Sequence, residues 1–542
     1  MTTPFATDTD APARLIHRLA SAAHTAPETV TGLIAVIRAD PRTFLPLTFS
    51  IARYGVGALD TAVAAVMSSL DLSYEELTEL DKMIPTGTSI LPHTALAVAE
   101  QRCLRAESNV HLALAQRALG VQLGNLRRHR EALAVGEQAV GLFRQLVTDD
   151  PDTHTPDLAR ATQNLGTYLG PLGRHREAVA VTEQAVGLFR QLVTDDPETH
   201  TSTLAMAVQN LGIHLGGVGL QREALAFSQE AVELYRPLAT ADPYTHTPDL
   251  AGALHNLGIR LRRAGQRREA VESSQEAVEL YRPLAANDPE AYTSHLAMAL
   301  ETLGNQLGEV GRKREALAFS QEAVELYRPL AAADPYTYTP ALAGAVQSLG
   351  VRLGQRGQRR EALVLFQEAV ERYRQLMVVD PDAHTSSFAG AVKNLGTQLG
   401  EVGRRREALA FSQQAVELYH HLAADDPDTH TPDLAGAVQT LGIRLAEVGQ
   451  QKEALAAYKE GVEFFRKLVR KNPEVHTPGL ARGLTNLGIH LTEAGRPQEA
   501  LVAAEEAVEL YTRLYTDFPE AFVDDLAISR QLRDSLNVGR ET

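Results

Sequence analysis

Apolar residues along this chain fall into paired helical stripes separated by short polar turns. In one stretch Leu158, Thr162, Leu165 and Leu169 recur at helical spacing. After the turn Gly173-Arg174-His175-Arg176, a second stripe of Ala178, Val181, Ala185, Leu188, Phe189 and Leu192 runs to Asp195-Asp196-Pro197. The pattern predicts a helix A over roughly 156–171 and a helix B over roughly 175–194. Thr155 reads as an N-cap, Pro156 as the first helical residue, Asp157 as a first-turn acid and Gly173 as a left-handed stop. Small residues at Gly166 and Ala185 allow the two backbones to approach as an antiparallel hairpin.

The same writing returns every 46 residues. A Leu-Gly pair places Gly120, Gly166, Gly212, Gly258, Gly304, Gly350, Gly396, Gly442 and Gly488 in register. A second series, Pro151, Pro197, Pro243, Pro289, Pro335, Pro381, Pro427, Pro473 and Pro519, keeps the same step, and Asp precedes each except Pro473 and Pro519. A fixed period of this length marks a solenoid, in which each unit buries its apolar face against its neighbours. Nine units fill residues 106–519. Before them lie a polar stretch, 1–10, and a non-repeat helical region, 11–105, with apolar segments at Leu15–Ala22, Val30–Ile37, Leu59–Leu70 and Ala95–Leu104. That region is expected to cap the open end of the array or to dock a partner. Residues 520–542 read as a capping helix and tail, with Phe522 to Leu536 starting like another helix A but lacking the Leu-Gly pair. Pro237, Pro283 and Pro329, late in three of the B helices, are expected to kink them.

The segment Asn164 to Val186 resembles a tetratricopeptide repeat, through Leu165, Gly166, Leu169, Gly173, Ala178 and Ala185. The period exceeds the usual 34 residues, and the long helices are similar to those of kinesin light chain and actinobacterial signalling arrays. The resemblance implies an all-α, right-handed superhelical solenoid of about nine antiparallel helical hairpins, whose concave face, lined by helix A, receives a partner peptide or helix. It also implies that Asn164, Asn210, Asn256, Asn394 and Asn486, each two residues before a repeat Gly, face the groove and hold a peptide main chain. An amide supplies both donor and acceptor, so a row of them suits a backbone of any sequence. Thr302, Ser348 and Thr440 interrupt the row. Tethering of adjacent helices is the alternative role for these amides.

Specificity is then expected from helix A positions that vary: Gln163, Gln209 and Lys393 three before the Gly, and Glu309, Glu401, Glu447 and Glu493 five after it. If the glutamates face inward, a basic peptide is the natural guest. The chain carries a formal charge of -16, and with 11 acids against 8 bases in residues 1–105, about -13 of it belongs to the rest. A negative array argues against phosphate backbones and acidic membranes. Arginines in the A-to-B turns and aspartates in the opposite turns sit where helix dipoles favour them.

Apolar residues at 44% and charged residues at 22% fit a soluble fold without a membrane span. One cysteine, Cys103, permits no internal disulfide, and the opening residues lack export features, so a cytoplasmic location is expected. His154, His200, His246, His384, His430 and His476 repeat one per unit, too far apart to converge on a metal, and tyrosine replaces them at 292 and 338. No phosphate loop, zinc helix, paired-cysteine motif or nucleophile elbow occurs. The reading is a non-catalytic interaction scaffold without cofactor or metal. Two alternatives stand beside it: a sensor or adaptor arm working with a separate effector, and an RNA-binding helical-repeat protein.

Overall fold

From the third repeat on, each 46-residue period resolves into 21 helical residues, a three-residue turn, 21 more helical residues and a single linking residue. In the fourth repeat these are Pro243–Arg263, Arg267–Asn287 and the linker Asp288. The structure is a computed structural model that describes residues 15, 16, 18, 29–52, 57–84 and 91–541. The chain divides into two compact bodies, Met1–Val218 and Gly219–Thr542. Among the described residues all regular structure is helical, and no helix is long and apolar enough to cross a membrane.

Helix A starts five residues earlier than the Thr-Pro-Asp signal suggested. In the second repeat it spans Pro151–Leu169, and the Asp150 carboxylate accepts from the backbone N–H of Thr153 at 3.3 Å. Aspartate followed by proline combines an N-cap acceptor with a first residue that needs no N–H. Thr155 is already inside the helix, where its hydroxyl donates to the Pro151 carbonyl at 2.7 Å. Helix A ends at the glycine that follows it: Gly173, Gly219, Gly265, Gly311, Gly357, Gly403, Gly449 and Gly495 all have φ between 70° and 87°. Only glycine takes that conformation at little cost. Arg127 fills the same position in the first repeat, at φ 58°. Helix B matches its reading closely, spanning His175–Asp195 in the second repeat. The B helices Gln221–Ala241, Arg267–Asn287 and Lys313–Ala333 run unbroken through Pro237, Pro283 and Pro329.

Repeat glycines set the distance between helices A and B. A Cβ on Gly258 would lie 2.2 Å from Ser274 Oγ and 3.2 Å from the Ala270 carbonyl; on Gly304 it would lie 2.8 Å from Ser320 Oγ. Alanines such as Ala270, Ala277, Ala316 and Ala323 are fully buried opposite. An aromatic side chain from helix B, such as Tyr235, Tyr281, Tyr327, Tyr373 or Tyr419, fills the space between hairpins.

In the first body, Thr29–Ala39, Pro41–Ala52, Gly57–Met67, Tyr74–Met83 and Pro92–Leu104 surround a core of Leu33, Ile37, Phe49, Val63, Val66 and Leu77. Most of Leu15–Ala22 lies outside the described residues. Two of these helices escape a reading by apolar periodicity. Pro41–Ala52 contains Pro46, and Tyr74–Met83 is acid-rich, announced only by the Ser73–Glu76 capping box. Leu96 joins the core of the first repeat, Tyr74 stacks on His111 at 4.1 Å, and its hydroxyl donates to the His111 carbonyl at 3.1 Å. The non-repeat helices therefore cover the open edge of the first hairpin. At the other end of the second body, Pro519–Glu541 packs Leu526 against Ala481, Tyr511 and Leu514.

Candidate functional site on helix A

Three rows of helix A side chains, read relative to the repeat Gly, have distinct surroundings. The row two residues after it is mostly buried and interlocks neighbouring repeats. Arg352 lies flat on Gly308 of the preceding repeat and Arg444 on Gly400, so closely that a Cβ on either glycine would overlap the guanidinium. Gln306 donates to the Gly258 carbonyl at 3.1 Å, and Gln398 to the Arg359 carbonyl at 2.8 Å. This row was not singled out from the sequence. Its signal is the second glycine of Leu-Gly-x-x-Leu-Gly, which provides the slot for the side chain of the next repeat.

The row three before the Gly is mixed. Gln163 is buried and Gln209 half-buried. Gln439 donates to the Gly479 carbonyl at 3.1 Å. Lys393 sits 3.7 Å from the Asp433 carboxylate and 5.5 Å above the Tyr419 ring, and burial pulls its ammonium below the usual lysine range. Glu301 accepts from Ser348 Oγ at 3.0 Å; burial raises its carboxyl to about 7, with the serine bond working in the other direction.

The asparagine row differs from both. In the first body Asn164 and Asn210, and in the second Asn256, Asn394 and Asn486, are half-buried, and among the described residues none of their side chains has a hydrogen-bond partner. They do not bond the adjacent helices. Their amides keep access to solvent and retain donor and acceptor capacity.

The four glutamates read as a lure for a basic guest each have a cationic or ionisable neighbour from the chain itself. Arg262 reaches Glu309 at 3.0 Å, Arg359 reaches Glu401 at 3.0 Å, and Arg444 reaches Glu447 at 3.0 Å. Glu493 lies 3.2 Å from His490 Nδ1. Arginines of the A-to-B turns are also engaged: Arg174 with Glu177, Arg312 with Glu315 and Arg404 with Glu407 form two-point pairs across the first turn of helix B. Such pairs satisfy the helix start and its dipole together.

Groups suited to catalysis or metal binding are sparse. Among the described residues no group of three or more His, Cys, Asp or Glu side chains converges in a way that could hold a metal. Cys103 is half-buried and burial pushes its thiol up to about 11, away from the reactive thiolate.

Comparison with known proteins gives a tetratricopeptide repeat family match at residues 250–284, 342–382 and 480–520. No curated protein matches the chain. Among solved structures, the chain is similar to a Rap protein complexed with competence and sporulation factor, at 14% identity and TM-score 0.44, covering 70% of this chain and 99% of that one. It is also similar to aspartyl phosphate phosphatase F from Bacillus subtilis, at 12% identity and TM-score 0.44, covering 75% and 94%. A third likeness is to the nearly identical TPR-like repeats of a putative kinesin light chain from Podosopora anserina, at 18% identity and TM-score 0.30, covering 42% and 99%. Helical hairpins recur every 46 residues with glycine-stopped A helices, and the family match identifies tetratricopeptide repeats within residues 250–284, 342–382 and 480–520.

Proposed function

We propose that this protein is a non-catalytic scaffold whose helix A face binds an extended segment of another protein. The observation that carries this reading is the asparagine set: amides at a constant position, half-exposed and without partners in the chain, beside side chains such as Gln306, Gln398, Lys393 and Glu301 that bond within it. Packed helices lie roughly 8–10 Å apart, and an extended chain advances about 3.3–3.6 Å per residue. Successive A helices are therefore offset by about three residues of such a segment. Asn256, Asn394 and Asn486, three and two repeats apart, grip its main chain with little regard to sequence, while Glu301 and Lys393 supply side-chain selectivity between them. Because Glu309, Glu401 and Glu447 already pair with arginines, the attraction for a basic guest rests on competition with those pairs.

The test is co-purification from nuclease-treated native extract, with the intact chain and with Asn256→Ala/Asn394→Ala/Asn486→Ala as parallel baits, read by mass spectrometry. The expected result is a protein retained by the intact chain and lost from the variant, with unchanged circular dichroism. Retention of every partner by the variant, or recovery abolished by nuclease, contradicts the reading.

A further inference from the structure

Seven of the nine repeat prolines follow Asp, and the two exceptions are Asn472 and Phe518. The seven aspartates, from Asp150 to Asp426, are exposed, whereas Asn472 and Phe518 are half-buried. What covers them lies far away in sequence but in the same body. Asn472 Nδ2 donates to the Arg263 carbonyl at 3.3 Å across 209 residues. The guanidinium groups of Arg267 and Arg268 stand 5.5 and 5.7 Å from the centre of the Phe518 ring. Both contacts fall on one feature, the A-to-B turn of the fourth repeat, which meets the turns before Pro473 and Pro519 about four and a half and five and a half repeats later.

The exchange of residue types follows from these contacts. An aspartate in this position turns its carboxylate back onto its own helix, as Asp334 does in accepting from the Thr337 N–H at 3.1 Å. Asn472 makes no such cap bond. It turns outward and satisfies a carbonyl at the C-terminal end of helix Pro243–Arg263, where helical carbonyls lack intrahelical partners. A carboxylate there has no proton to donate and meets the negative end of the helix dipole. Phe518 offers an aromatic face to two guanidinium groups, the geometry of a cation–π contact.

We infer that Asn472 and Phe518 form a clasp that closes the second body into a complete superhelical turn against the fourth repeat. Lys313, in the first turn of helix B of the fifth repeat, acts electrostatically on Asp525 of the terminal helix and extends the same seam by one repeat. Closure fixes the superhelical pitch and with it the spacing of the A helices. The inference is independent of what the helix A face binds.

The test is a distance measurement by pulsed electron spin resonance, in a Cys103→Ser background with labels at Gln266→Cys and Arg470→Cys, both exposed and one on each side of the seam. The expected result is one narrow, short-distance population. In Asn472→Asp/Phe518→Ala that population is lost to a broad, longer one while circular dichroism is unchanged, because aspartate already starts seven other A helices. Phe518→Tyr, which keeps an aromatic face, retains the narrow population. A broad distribution in the unsubstituted clasp, or a narrow one that survives the double substitution, overturns the inference.

Discussion

On the second body, helix A and helix B each carry a polar row that repeats with the 46-residue period, and the asparagines of the first have the opposite fate to the arginines of the second. Along helix B, Arg236 reaches Glu276, Arg282 reaches Glu322 and Arg328 reaches Glu368, each pair 40 residues apart and joining successive B helices through two hydrogen bonds. Arg466 reaches Glu506 in the same register. Along helix A, Asn256, Asn394 and Asn486 are no more exposed than those arginines but bond to nothing in the chain. Periodicity alone therefore does not distinguish a row that holds the solenoid together from one left open for a guest. Pairing does.

The core between the two faces sets the energetic scale for breaking this contrast. Tyr281 is 3% exposed and packs with Leu296, Leu300 and Leu303. Tyr281→Ala is expected to cost about 3–5 kcal/mol, seen as early unfolding of the neighbouring repeats in a denaturant titration followed by hydrogen exchange, since stability in a solenoid is coupled mainly between neighbours.

Glu301 gives the helix A face a pH dependence. Its folded carboxyl is raised to about 7 from an ordinary 4.5, so the folded state binds the proton more tightly than the unfolded chain. Its contribution is fully present below about 4.5 and is lost as pH rises through about 7. One such group changes stability by at most about 1.4 kcal/mol per pH unit. Glu301→Gln is expected to flatten the fall in unfolding midpoint between these pH values; an unchanged slope would place the titrating group elsewhere.

Smaller effects belong to the helix ends and the outer ladder. Removing the cap with Asp334→Ala is expected to cost about 1 kcal/mol, measured by thermal unfolding. The Arg282–Glu322 pair, with side chains 45% and 33% exposed, is expected to show a coupling of about 0.2–1 kcal/mol in a double-mutant cycle, decreasing at high salt. Asn256→Ala/Asn394→Ala/Asn486→Ala is expected to change stability least, within about 0.5 kcal/mol per site, and to abolish retention of the partner. A large loss of stability would assign the row to packing instead.

Much of this organisation was legible in the sequence because it is local. Gly173 and its counterparts announced the left-handed stop that ends helix A, and the stripe from Ala178 to Leu192 gave the extent of helix B. The start of helix A was misplaced because Thr155-Pro156-Asp157 imitates a cap that Asp150-Pro151 supplies five residues earlier. What could not be read was pairing between repeats. Glu309, Glu401 and Glu447 look free in sequence, yet Arg262 and Arg359 reach Glu309 and Glu401 across a repeat boundary and Arg444 reaches Glu447 within its own helix. Asn472 and Phe518 were visible as exceptions to the Asp-Pro pattern, but the turn they meet, at Arg263 to Arg268, is brought to them only by the superhelix.

The contrast between the two faces is tested most directly by hydrogen–deuterium exchange of the protein alone and with a co-purified partner. The account predicts that protection gained on binding falls on helix A segments around Asn256, Asn394 and Asn486 and spares the helix B ladder around Glu276, Glu322 and Glu368. Protection confined to helix B, or to the A-to-B turns, would contradict it.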